Sequence, residues 1–104
     1  AKPVDFGPVV TAGGVRLHPE GQALLITPLP EADRPFDVVV RWSKLPWKLP
    51  RPEILEHLDM DGGVLTQRRL PPSETQEEIL LHCSPGIFAY RLRPKKDSGN
   101  TLAE

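Results

Sequence analysis

Proline interrupts this sequence at almost every boundary between apolar segments: Pro28, Pro30, Pro35, Pro46, Pro50, Pro52, Pro71, Pro72, Pro85 and Pro94. A proline lacks a backbone donor and holds φ fixed, so it marks turns, strand edges and strand ends. The chain has 13 of them in 104 residues, where about 5% is usual. They cut the sequence into short units, and most of those units read as strands.

The clearest unit is Phe36 to Trp42. Phe36, Val38, Val40 and Trp42 fall on one face and Asp37, Val39 and Arg41 on the other, the period-two pattern of a half-buried strand. Ile87 to Arg93 alternates in the same way between Pro85-Gly86 and Pro94. Glu78 to Cys83 reads as the strand before it, with Ile79, Leu81 and Cys83 facing one way. The short Ser84-Pro85-Gly86 turn predicts that these two strands form a hairpin. Gly14 to His18 and Gln22 to Leu29 are expected to form another, joined through His18-Pro19-Glu20-Gly21. Pro52 to Leu58 carries both a helical stripe and a strand reading; the Asp61-Gly62 step after it and the return through Val64 to Arg69 favour the strand. The expected fold is therefore all-β: about seven short strands in a two-sheet antiparallel sandwich. One domain is expected over residues 9–94, with residues 1–8 as a linker and 95–104 as a disordered tail.

Charge narrows the partners. There are 13 basic and 14 acidic residues and a net charge of -1, which supplies no field for nucleic acid or an anionic membrane. No apolar run approaches the ~20 residues of a membrane span. Cys83 is the single cysteine, so no disulfide can close within the chain, and it is expected to be a buried, inert thiol.

No reactive constellation is legible. His18, His57 and His82 lie on different strands without metal-ligand spacing. Asp59, Asp61 and Gly62 begin like a calcium loop, but the twelfth position from Asp59 is Leu70, so a hairpin turn is expected. Gly13-Gly14 and Gly62-Gly63 are isolated pairs rather than a phosphate loop. Glu53, Glu56, Glu74, Glu77 and Glu78 read as a solvated charged face. No catalytic residue, metal or cofactor is expected.

The unusual stretch is Arg41 to Pro52, which holds both tryptophans among prolines and basic residues. Two readings stand. Trp47 can be an exposed platform for the C–H face of a sugar ring, with Lys44, Lys48 and Arg51 supplying hydrogen bonds to a glycan or peptide. Alternatively, Trp42 continues the apolar face of its strand while Trp47, Leu45 and Leu49 plug the end of the sandwich.

Asp59-Met60-Asp61-Gly62-Gly63-Val64-Leu65, then Ile79-Leu80-Leu81-His82 and Pro85-Gly86-Ile87-Phe88-Ala89-Tyr90-Arg91-Leu92, resemble the C-terminal half of immunoglobulin-like and fibronectin-III-like sandwiches. The resemblance spans roughly residues 53 to 93 and lacks the immunoglobulin cysteine pair. It implies a module of the kind appended to bacterial glycoside hydrolases and other multidomain extracellular proteins, secreted or at the cell surface. The expected role is that of a non-catalytic accessory domain packing against a neighbouring domain of its parent chain; the alternative is a glycan- or peptide-binding module using the Trp47 loop.

Overall fold

The computed structural model describes residues 2–30, 32–72 and 77–95. It is an all-β sandwich of two antiparallel sheets. The described strands are β1 (Val4–Asp5), β2 (Val9–Thr11), β3 (Val15–Glu20), β4 (Ala23–Pro28), β5 (Phe36–Arg41), β6 (Ile54–Leu58), β7 (Val64–Arg69), β8 (Glu78–Cys83) and β9 (Ala89–Arg93). One sheet runs β1-β2-β5-β8 and the other β3-β4-β9-β6-β7.

Alternation decides which side chains meet between the sheets. Val38 and Val40 of β5, Ile79, Leu81 and Cys83 of β8, Leu24 and Ile26 of β4, and Tyr90 and Leu92 of β9 form the buried core. Asp37, Leu80 and His82 point outward, as period two requires. Each large side chain buried this way contributes roughly 1.5–3 kcal/mol against exposure.

The two predicted short hairpins separate here. β3 and β4 do pair, from Val15↔Pro28 to Glu20↔Ala23, and the turn falls at Gly21-Gln22, with Gly21 at φ 63°. Pro19 lies inside the edge strand β3, where its missing N–H faces no partner strand. β8 and β9 do not form a hairpin. β8 pairs with β5 and β9 with β4 and β6, so Ser84 to Phe88 crosses from one sheet to the other. A Pro-Gly turn reverses the chain in either case; here Ile87 packs on the core as the chain passes to the other sheet.

Residues expected to be a linker hold β1, which pairs with β2 through Val4↔Thr11 and Asp5↔Val10. Its Asp5 carboxylate accepts from Arg41 at 2.9 Å. Within the stretch at 52–58, Ile54–Leu58 is a strand, in agreement with the strand reading. Of the expected tail, residues 96–104 lie outside the described residues.

Candidate functional site

The connections sort to the two ends of the sandwich. At one end the segment following β5 closes the core. The strand stops at Arg41, one residue short of the expected boundary, and Trp42 opens a short 3-10 turn, Trp42–Lys44. Trp42 is buried, and its indole N–H donates to the Leu49 carbonyl at 3.2 Å. Leu45 is buried beside it, with Trp47 and Leu49 half-buried and packed against the same core. The candidate residues of this loop are thus divided. Lys44, Lys48 and Arg51 are exposed, whereas Trp47 offers only part of its ring.

At the opposite end lies a cleft of about 570 Å³ lined from segments 28–30, 32–36, 59–61 and 83–88. Its walls are largely apolar, including Leu29, Pro30, Phe36, Ile87 and Phe88, with Arg34 at the margin. Met60 is 79% exposed and Phe88 47% exposed at its rim. The Asp59–Gly63 turn that presents Met60 is built by its own backbone. The Asp59 carboxylate accepts from the N–H groups of Asp61 and Gly63 at 2.9 and 2.7 Å, and Gly62 sits at φ 84°. This carboxylate completes a turn, as expected for the hairpin rather than a calcium loop.

The same end explains Gly13-Gly14. A Cβ on Gly13 would lie 2.9 Å from the Phe36 ring, and one on Gly14 would lie 2.5 Å from Leu29 Cδ1. The pair lets two apolar side chains rest directly on backbone.

The reactive groups are held in unreactive settings. Burial pushes the Cys83 thiol up to about 11, against an opposing hydrogen bond from Tyr90. A thiolate nucleophile needs the reverse shift. The Tyr90 hydroxyl also accepts from the Ser84 N–H at 2.8 Å, pinning the crossover. His57 stacks edge-on against Tyr90 at 5.1 Å, and burial followed by the charge of Arg68 lowers its pKa. On the outer face His82 Nδ1 lies 2.6 Å from Asp37 Oδ1, both exposed, while the adjacent Cys83 points into the core. Among the described residues no three His, Cys, Asp or Glu side chains gather to hold a metal ion.

One carboxylate departs from the expected solvated face. Glu56 is 4% exposed. Cross-strand register sets it opposite Arg91, and its oxygens accept from Arg91 Nε at 2.7 Å and Arg93 Nε at 3.1 Å. Arg91 reaches on to Glu20 at 3.2 Å. Both Glu56 oxygens are therefore committed to ion pairs, which suits a clamp between β6 and β9 better than an acid or base. The alternation of Leu55-Glu56-His57 set Glu56 apart from Leu55; what it lacked was the register that brings two arginines over it.

No protein-family model, curated protein or solved structure matches this chain.

Proposed function

We propose that this chain is a non-catalytic accessory β-sandwich of a larger protein, acting by packing against a neighbouring domain through its loop end. The supporting observation is the exposed pair Met60 and Phe88 over an apolar cleft, at the end opposite the tryptophan plug. Apolar side chains gathered at one end of a small domain are the usual mark of a docking surface. Cys83, His57 and Glu56, each tied into packing or ion pairs, support the non-catalytic part of the reading.

Met60 is the single methionine, which makes it a clean reporter. Its rate of oxidation by peroxide is to be compared in the isolated chain and in the natural polypeptide. Protection of at least tenfold in the natural polypeptide is expected. Equal rates would sink the docking surface, and substrate turnover by the isolated chain would sink the non-catalytic reading. The alternative, glycan or peptide binding at Trp47, Lys44, Lys48 and Arg51, rests on the exposed part of the Trp47 ring. It predicts a change in tryptophan fluorescence on titrating a glycan panel, an effect abolished in Trp47→Phe.

A further inference from the structure

The sandwich is open on the side where β1 and β3 form the edges of the two sheets. Val4 pairs with Thr11, and Thr11 is buried, so Val4 faces inward. Phe6, two residues on, lies in the β1–β2 turn, where its N–H donates to the Val9 carbonyl at 2.8 Å. Both stay uncovered: Val4 is 51% exposed and Phe6 63%. A groove of about 550 Å³ is lined by these two and by Val15 and Leu17 of β3. Among the described residues no charged side chain lines it. Its one hydroxyl, that of Thr11, is committed to Gly13, donating to the carbonyl at 2.7 Å and accepting from the N–H at 3.1 Å.

The β3 wall of this groove also offers free backbone. Antiparallel pairs alternate between hydrogen-bonded and non-hydrogen-bonded. The Leu29 N–H donates to the Gly14 carbonyl at 2.9 Å, which makes Gly14 and Leu29 a bonded pair. The register then directs the backbone groups of Arg16 and His18 to β4 and turns those of Val15 and Leu17 away from it. The prolines agree: Pro19 and Pro28 both fall at non-bonded positions of this ladder, where no donor is needed. Among the described residues no strand pairs with the outer edge of β3. Val15 and Leu17 thus present N–H and C=O groups along the edge and apolar side chains to the groove.

We infer that this edge binds an extended segment of a partner polypeptide with the pattern apolar–acidic–apolar, added antiparallel to β3, as every described strand pair of the sandwich is antiparallel. Backbone hydrogen bonds to Val15 and Leu17 supply affinity. The partner residues opposite these two point inward and fill the groove against Val4 and Phe6. The residue between them points outward beside Arg16, in a non-hydrogen-bonded pair, where side chains approach most closely. Arg16 is exposed and has no hydrogen-bond or ion-pair partner among the described residues, so a carboxylate placed there gains a cation. Pro19, the next position facing the edge, has no N–H and ends the pairing. A second copy fits worse. Pairing β3 with its own image through Leu17 sets Arg16 against His18. Shifting it to bring Glu20 opposite Arg16 puts Pro19, which cannot donate, opposite Leu17.

The test uses synthetic decapeptides of alternating valine and glutamate, or alternating valine and lysine, with amide hydrogen exchange read residue by residue. In the chain alone, the Val15 and Leu17 amides should exchange fast and those of Arg16 and His18 slowly. The glutamate peptide should slow Val15 and Leu17 at least fivefold, with little effect from the lysine peptide. Arg16→Glu should reverse that preference and Phe6→Ser should weaken the protection, both positions being exposed and so compatible with folding. Four results overturn the inference. They are no protection at millimolar peptide, equal protection by both peptides, Val15 and Leu17 already slow in the chain alone (an edge covered by the chain itself), and protection that grows with protein concentration without peptide (a second copy). None of them bears on Met60 oxidation, so the loop-end reading stands or falls separately.

Discussion

His57 illustrates how a residue can be placed on a strand by its sequence while its surroundings stay hidden. Its position on β6 follows from alternation, yet its ring lies inward against Tyr90 at an edge that the opposite sheet leaves partly open. Burial and then Arg68 lower its pKa from 6.5, so the folded protein favours the neutral imidazole. The contribution to stability is complete above about pH 6.5, the unfolded value, and is lost as pH falls through the lower folded value, because the unfolded chain takes up the proton first. His57→Phe keeps a ring against Tyr90 and removes the proton. Its urea midpoint should fall less than that of the wild type between pH 7.5 and 5.0; equal falls would show that His57 does not contribute to the acid response. A residue's face could be read from the sequence, but the opening beside it could not, because that depends on the width of a sheet formed by distant strands.

Among the elements, strands were more legible than their partners. β5, β8 and β9 are strongly patterned because each buries one face, and the Asp-Gly turn marked the β6–β7 hairpin. The Ser84-Pro85-Gly86 turn misled, since local turn chemistry does not specify which sheet receives the next strand. The tryptophan segment left both readings open in the sequence, and the structure shows its indoles packed at a sandwich end. Between β6 and β9, the Glu56 clamp is a product of register. Removing a carboxylate from a buried pair leaves its partners uncompensated, at a cost of about 3–5 kcal/mol; Arg91 and Arg93 keep some contact with water, so Glu56→Ala should cost about 3 kcal/mol, the low end of that range. Asp37→Ala, which removes the exposed partner of His82, should cost less than about 1 kcal/mol. Chemical denaturation distinguishes the two, and equal costs would show that the Glu56 clamp is no stronger than a surface pair.

At the scale of the whole molecule, Cys83 reports on the integrity of both sheets. It belongs to one sheet, and its thiol lies under Tyr90 of the other, so reagent reaches it when the layers part. A shift from 9.0 to about 11 also leaves about one hundredth of the usual thiolate at neutral pH, at tenfold per unit. Labelling by a disulfide reagent at pH 7.5 should therefore be slow and accelerate with urea in step with unfolding measured by tryptophan fluorescence. Rapid labelling of the native chain would place the thiol outside the core. The sandwich itself was legible from spacing and patterning, because every unit was too short and too one-sided to be stable alone. The order of the strands was not, and that order has a consequence for synthesis. β9, the last described strand, lies between β4 and β6 at the centre of its sheet. Until it leaves the ribosome, the β3–β4 and β6–β7 hairpins have no strand to join them, and each presents an unsatisfied edge. The emerging chain must carry two half-sheets until β9 arrives. A nascent polypeptide stalled before Ala89 is therefore where premature association with other chains is expected to concentrate.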